Sequence, residues 1–209
     1  KSKKIKVRVV LTGQHKEMAK NVMDLFHIKE DLNLSIMKSS QSLNYISVSI
    51  LNGLKSEFLT NRPDLVLVQG DTTTAFISAL AAFYEGIKIA HVEAGLRTNN
   101  LFSPFPEEAN RRLISQIATI NFVPTKTCLE NLKNEGIHNN VFLTGNTVID
   151  SINNLINNKM IKREDYFDEN KNLKLILVTV HRRENWGKGL KNIIKGIIKI
   201  VESNPNVGI

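Results

Sequence analysis

"DLVLVQGDTTTAFISALAAFYEG", residues 64–86, joins a short apolar run to a long alanine-rich segment through Gly70. The leucine and valine run has the length of a strand buried on both faces, and the alanine-rich segment has the composition of a helix. A glycine turn between a strand and a helix presents backbone N–H groups that usually attract an anion. Here the turn carries an anion of its own, Asp71. The stretch therefore predicts a strand–turn–helix unit and raises the question of what that carboxylate does.

The same alternation of strand and helix repeats along the chain. Apolar runs predict strands at 6–13, 64–69, 87–93, 119–124, 140–145 and 173–180. Periodic apolar positions predict helices at 14–26, 42–61, 72–85, 106–118, 126–136, 146–158 and 190–203. Continuous apolar strands that alternate with helices favour a parallel sheet covered on both faces. The predicted fold class is therefore α/β, with a doubly wound, Rossmann-like sheet.

The pattern breaks once, at "KMIKREDYFDENKN", which is polar, charged and without apolar periodicity. We interpret residues 159–172 as a linker. Residues 1–158 then form an N-terminal Rossmann-like domain that lacks a first strand and helix, and residues 173–209 begin a second, nucleotide-binding domain. The restarted pattern stops at the approach to another strand.

Ligands of open parallel sheets bind beyond the carboxyl ends of the strands, so the residues at these ends are informative. Polar and charged residues gather there: Gly13, Gln14, His15, Gly70, Asp71, His91, Glu93, Gly145, Asn146, Thr147, His181 and Arg182. Glu107 opens a later helix. Carboxylates beside a histidine suit proton transfer when burial separates their pKa values. Spacing alone does not name the reaction.

Structural roles compete with these assignments. Asp71 or Thr72 could cap the following helix, which the spacing allows as readily as catalysis. Glu107 lies at a predicted helix start, where acidic residues are favoured in any case. Glu93 ends an apolar strand, which is costly unless the carboxylate is functional or pairs with Arg97.

Composition argues against several classes of protein. The 28 basic and 20 acidic residues give a net charge of +8, but the lysines are scattered and only 6% of residues are aromatic. No aromatic residues interleave with the basic ones as base stacking requires, so we expect no nucleic-acid partner. Cys128 is the single cysteine and is expected in the core, which leaves no disulfide framework or thiolate metal site. The longest apolar stretch is half of a membrane span and no signal-peptide pattern is present, so we expect a cytoplasmic protein without a membrane partner.

Familiar cofactor and catalytic motifs are missing. No G-x-G-x-x-G follows a strand, and there is no phosphate-loop lysine, G-x-S-x-G elbow or H-E-x-x-H pair. From the residues alone, the chain is an α/β enzyme-like domain with carboxylates and one histidine at its rim.

Six segments in order nevertheless match a known family: "LTGQHKEM", "DLVLVQGDTTTAF", "HVEAGLRTNNLFSPFPEEANRRL", "FVPTKTCLENL", "TGNTVIDS" and "VTVHRREN". With these motifs the chain resembles the non-hydrolysing UDP-N-acetylglucosamine 2-epimerases over essentially its whole length. The resemblance implies two Rossmann-like domains in a GT-B arrangement and the interconversion of UDP-GlcNAc and UDP-ManNAc for polysaccharide biosynthesis. It also implies a homodimer that needs no metal or nicotinamide cofactor.

The resemblance assigns roles to particular residues. UDP is eliminated to leave bound 2-acetamidoglucal and then adds back with protonation of carbon 2 from the other face. Asp71, Glu93 and Glu107 are implied as catalytic carboxylates, and His181 as a catalytic residue that contacts the nucleotide sugar near its diphosphate. Arg182 is implied in substrate binding beside Asp71, Glu93 and His181. The Asp71 turn would then face the sugar, because other segments hold the diphosphate.

Gln14, Gln41 and Arg182 match positions near a regulatory UDP-GlcNAc site of some bacterial members. Ser40 and Glu17 stand where those members tend to carry Arg and Gln, which argues against allosteric control here.

The chain also departs from the family at its ends. It lacks the family's N-terminal "GTRPE" loop and its C-terminal "SGG" turn. We therefore expect the 209 residues alone to be inactive. Three alternatives remain: a hydrolysing epimerase, whose members have "GDR" and "HIEGGE" in place of "GDTTT" and "HVEAGLR"; a GT-B glycosyltransferase; and a non-catalytic nucleotide-sugar-binding regulator.

Overall fold

The computed structural model describes residues 4–13, 16–38, 41–158, 160, 172–180 and 186–209, with 16–19 described by their backbone only. The chain divides into two compact units, Lys1–Ile149 and Asp150–Ile209.

The first unit is built from alternating strands and helices. Its strands are β1 (Val10–Leu11), β2 (Leu32–Asn33), β3 (Leu65–Gln69), β4 (Lys88–Val92), β5 (Ile120–Val123) and β6 (Val141–Leu143). Its helices are α1 (Lys16–Leu25), α2 (Leu43–Thr60), α3 (Thr73–Tyr84), α4 (Glu107–Ile117) and α5 (Lys126–Asn134), and α6 (Thr147–Asn157) crosses the boundary between the units.

All strand pairs among the described residues are parallel. The main sheet has the order β3-β4-β5-β6, and β1 and β2 form a separate two-stranded sheet. The register joins Gln69 to Val92, and Val92 to Phe122, so β3, β4 and β5 run side by side to their carboxyl ends. The predicted α/β fold class with a parallel sheet is confirmed.

Helices α2 and α3 supply most of the main core beside β3 and β4. Ile50 of α2 and Ala79 and Ala82 of α3 are fully buried. The small alanine side chains let α3 approach its neighbours closely, while isoleucine fills the space between the elements. Burying one such isoleucine contributes about 1.5–3 kcal/mol. The alanine-rich stretch after Gly70 is therefore a core helix, as its composition predicts.

Hydroxyl side chains cap three of the helices. Ser42 caps α2, Thr72 caps α3 and Thr125 caps α5, each accepting a hydrogen bond from a backbone N–H three residues later. Each cap is worth about 1 kcal/mol. For α3 the cap answers a question that the sequence leaves open, because Thr72 and not Asp71 fills the role.

The second unit contains a strand–helix–strand motif. It consists of β7 (Lys174–Leu175), α7 (Lys188–Ser203) and β8 (Val207–Gly208), and β7 pairs with β8 in parallel. A parallel strand–helix–strand motif is the repeating unit of Rossmann-like folds, and the assignment of residues 173–209 to a second such domain stays a prediction. Only residues 160 and 172 of the predicted linker are described, so the domain boundary stays a prediction.

Three short elements differ from the sequence-based expectation. The strand predicted at 6–13 is reduced to Val10–Leu11, the strand predicted at 173–180 is reduced to Lys174–Leu175, and the polar stretch after α1 contains β2, which the pattern does not predict. A two-residue strand is too short to show alternation in the sequence, and β2 is defined by its parallel pairing with β1, in which Asn33 lies opposite Leu11. Among the described residues, no helix combines the length and apolarity needed to cross a membrane.

Candidate active site

The carboxyl ends of β3 and β4 bring Asp71 and Glu93 to the same edge of the sheet. The Gly70 N–H donates to the Val92 carbonyl at 3.0 Å, so the segments that follow β3 and β4 leave the sheet side by side. A Cβ atom built on Gly70 would lie 3.9 Å from the nearer Glu93 carboxylate oxygen. Asp71 follows directly. Both acidic side chains are half-buried.

Helix α4 connects the third carboxylate to this edge. Asn110 Nδ2 donates to the Asp71 carbonyl at 2.8 Å, and Arg111 Nη2 lies 2.6 Å from Asp71 Oδ2. Glu107 is the first residue of α4, three and four positions before these two, and therefore lies on the same helix face. Glu107 is half-buried. Acidic residues from three separate elements thus gather at one edge of the sheet.

Glu93 has an unusual backbone conformation. Its φ of +66° lies in the left-handed region, which costs about 1–3 kcal/mol for a residue other than glycine. Its Oε1 accepts a long hydrogen bond of 3.5 Å from Asn146 Nδ2. A strained residue with a weakly held carboxylate at a sheet edge is a typical feature of a functional site.

The proposed structural partner of Glu93 is wrong. Arg97 pairs instead with Glu135 of the segment after α5, with Nε–Oε1 and Nη2–Oε2 distances of 2.7 and 2.6 Å. This bidentate pair takes up the guanidinium, and the Arg97 side chain is only 3% exposed. Pairing with Arg97 therefore does not explain the position of Glu93.

His91 lies inside the sheet and holds the two turns together. It is fully buried, and its Nε2 lies 2.8 Å from the Gly70 carbonyl oxygen. Burial lowers the pKa of His91, against the opposing effect of the Gly70 hydrogen bond. The imidazole is therefore neutral at pH 7 and donates Nε2–H to that carbonyl. It holds the Asp71 turn from inside the sheet, through the Gly70 carbonyl, and is not exposed at the rim.

A chain of alternating charges begins at Asp71. The order is Asp71, Arg111, Glu108, Arg112, Glu135 and Arg97, and the charges sum to zero. Glu108 is fully buried at its centre. Burial raises the pKa of Glu108, but hydrogen bonds from Arg112 and the Thr98 N–H together with the Arg111 charge outweigh it, so the pKa lies below its ordinary value. Because the charges compensate one another, these six side chains can be largely buried.

Several predicted site residues lie outside the described part of the chain. They are Gln14, His181 and Arg182, and Ser40 beside the predicted regulatory position is in the same situation. Gln41 is described, and its Oε1 accepts from the Lys38 N–H at 3.2 Å. Within the described ranges, no three His, Cys, Asp or Glu side chains are arranged to hold a metal ion.

Sequence reasoning missed Asn110, Arg111 and Glu108 as members of the site. Glu108 and Arg111 are three apart on α4, a spacing that places them on one helix face. That spacing could have indicated an intrahelical pair. Nothing in the sequence places Arg111 against Asp71, 40 positions earlier.

Comparison with known proteins gives a consistent result. A family model described as UDP-N-acetylglucosamine 2-epimerase matches residues 1–209. The chain is 45% identical to the UDP-N-acetylglucosamine 2-epimerase of Campylobacter jejuni over 98% of its own length and 56% of that protein. It is 46% identical to the enzyme of the same name from Bacillus subtilis, over 92% of its own length and 50% of that protein.

A solved structure shares the fold as well. The UDP-GlcNAc 2-epimerase of Neisseria meningitidis, crystallised with UDP-GlcNAc, aligns with a TM-score of 0.89 at 44% identity, covering 99% of this chain and 58% of that one. The chain therefore spans about half the length of the relatives it matches.

Proposed function

The chain belongs to the UDP-N-acetylglucosamine 2-epimerase family, and we propose that the protein containing it interconverts UDP-GlcNAc and UDP-ManNAc without hydrolysis. The observation that carries the proposal is the gathering of Asp71, Glu93 and Glu107 at one sheet edge. Epimerisation at carbon 2 needs acid–base groups near both faces of the sugar. Carboxylates from separate elements can approach a ring from different sides.

The proposed chemistry is an elimination followed by its reverse. A carboxylate removes the proton from carbon 2, the electron pair forms the C1–C2 double bond, and the C1–O bond breaks to release UDP. In the return step UDP oxygen attacks carbon 1 while carbon 2 takes a proton from the opposite face. The two steps balance without an oxidant or a cofactor. Stabilising the departing diphosphate requires cationic or N–H donors, for which we propose His181 and Arg182.

The remaining features of the proposal rest on the sequence pattern and on the resemblance to the family. We propose that residues 173–209 begin the domain that binds the nucleotide, joined by the linker at 159–172 to the domain of residues 1–158. We also propose a cytoplasmic homodimer. Gel filtration with light scattering of the full-length protein tests the oligomer, for which a monomeric mass would contradict the proposal.

The decisive experiment follows carbon 2 by nuclear magnetic resonance. The full-length protein is incubated with UDP-GlcNAc in heavy water. We expect UDP-ManNAc to appear with deuterium at carbon 2. Conversion without solvent exchange would refute the elimination, and release of free ManNAc with UDP would identify a hydrolysing enzyme.

The 209-residue chain provides a second test. Because it spans about half of its relatives' length, we propose that it shows no turnover by itself in the same assay. Turnover by the isolated chain would contradict that expectation. Binding of UDP-GlcNAc by the full-length protein without any conversion would instead favour a non-catalytic regulator.

A further inference from the structure

The candidate carboxylates are held very differently. Asp71 is fixed twice by consecutive residues of α4: Asn110 Nδ2 holds its main-chain carbonyl at 2.8 Å, and Arg111 Nη2 holds its side-chain Oδ2 at 2.6 Å. Glu93 has one long amide contact of 3.5 Å. The side chain of Glu107 has no hydrogen-bond or ion-pair partner among the described residues. Of the three candidate carboxylates, Asp71 is therefore the one whose orientation is set by a buried cation among the described residues.

Arg111 is itself fixed in place. Its side chain is 11% exposed, and its second amino group lies 3.5 Å from an oxygen of fully buried Glu108. Its buried Nε–H has no hydrogen-bond partner among the described residues. Asp71 and Glu108 are thus the two carboxylates that compensate the guanidinium charge.

Loss of Arg111 would affect its two partners unequally. Glu108 would keep hydrogen bonds from Arg112 Nε at 2.9 Å and from the Thr98 N–H at 3.0 Å. Asp71 would keep only the Asn110 contact, and that contact reaches its main chain. The side chain of Asp71 would be left without a described partner. Removing Arg111 is therefore expected to affect the carboxylate of Asp71 more than that of Glu108.

We propose that Arg111 is a positioning residue of the active site, which holds Asp71 Oδ2 so that Oδ1 is presented to the sugar, while Glu108 keeps Arg111 in place. This inference rests on the proposed epimerase function. It assigns to Asp71 a fixed orientation, in contrast to Glu93. It also explains why the first turns of α4 carry both a site carboxylate and the cation that orients another.

The test compares Arg111→Met with Arg97→Met in the full-length protein. Both substitutions remove a buried arginine of the same charge chain, but Arg97 lies at the end distant from Asp71. We expect Arg111→Met to lower kcat about 100-fold with KM changed less than about threefold, because a misplaced catalytic group slows the chemical step. Arg97→Met keeps kcat within about threefold, and Arg111→Lys, which retains the charge, recovers about tenfold over Arg111→Met.

A double-mutant cycle isolates the contact. If Arg111 acts through Asp71, Arg111→Met has no further effect in an Asp71→Asn background. Multiplying losses in the double variant, or an equal loss of kcat in Arg97→Met, would overturn the proposal. If Arg111→Met does not fold, Arg111→Lys enters the same cycle.

A readout independent of activity separates this inference from the proposed function. Hydrogen exchange of the segment 66–76 in the full-length protein is expected to rise about fivefold in Arg111→Met and not in Arg97→Met. An inactive wild-type protein with this exchange response would refute the epimerase function and retain the positioning role. Unchanged exchange together with unchanged kcat would refute the positioning role.

Discussion

The turns after β3 and β4 are neighbours with opposite designs. The first carries Asp71, whose carboxylate is tied into a neutral chain of six charges. The second carries Glu93, which adopts a left-handed backbone conformation with φ +66° and has one contact of 3.5 Å through its side chain. Two carboxylates at one sheet edge thus need not do the same work. A paired carboxylate suits a fixed orientation, and a loosely held one suits proton transfer, because its charge can change without leaving a buried cation unpaired.

The largest expected effect is on the Glu93 turn. Glu93→Gln removes a carboxylate that we propose to transfer the proton, and we expect kcat of the full-length protein to fall about 10²–10⁴-fold. Loss of solvent deuterium incorporation at carbon 2 is the measurement. Asp64→Asn is the control, because Asp64 is exposed and precedes β3 at the opposite edge of the sheet. Near wild-type deuterium incorporation in Glu93→Gln would show that Glu93 takes no part in the proton transfer. The proposed difference in role between the two turns would then be wrong.

The next effect concerns the charge chain behind Asp71. Glu108→Gln leaves Arg111 and Arg112 short of a buried counter-charge, and we expect the free energy of unfolding to fall by about 3–5 kcal/mol. Urea unfolding followed by circular dichroism measures it. Glu130→Gln on exposed α5 surface should change stability by less than about 0.5 kcal/mol. A small change in the free energy of unfolding of Glu108→Gln would mean that the charge chain does not hold the Asp71 turn rigidly.

A pH effect tests His91, which joins the two turns. Burial lowers the pKa of His91 in the folded state, so the unfolded state binds a proton that the folded state rejects. Stability is then fully present above the unfolded pKa of about 6.5 and falls as the pH drops below it, by at most about 1.4 kcal/mol per pH unit. In His91→Gln, which can still donate to the Gly70 carbonyl, we expect this slope below about pH 6.5 to disappear. An unchanged slope would show that another group causes it.

The smallest expected effect is a gain. Glu93→Gly relieves the left-handed conformation and should raise the free energy of unfolding by about 1 kcal/mol while abolishing turnover. Asn140→Gly is the matched control, since exposed Asn140 has φ +53° and asparagine tolerates this region better. Thermal unfolding of both variants checks the difference. Equal shifts would mean that the Glu93 turn stores no particular strain.

The sequence predicts the strands, helices and turns that carry the site better than it predicts the contacts between their side chains. The stretch 64–86 predicts β3, α3 and the Asp71 turn because strand and helix periodicities are local. The choice between Asp71 and Thr72 as helix cap depends on backbone geometry that spacing does not contain, and Thr72 fills the role. The sequence offers Arg97, four residues away, as one of two explanations for Glu93, yet Arg97 pairs with Glu135, 38 residues away. Long-range partners of this kind are set by how helices pack on the sheet.

The six-membered charge chain has a consequence for how this surface can diverge among descendants. Each internal member serves two opposite neighbours, so a single exchange of sign creates two mismatches at once. Changes of charge at these positions are therefore expected to occur as paired substitutions or not at all. Related genes should show these positions either unchanged or co-varying in adjacent pairs, whereas Glu93 lies outside the charge chain and is free of this coupling.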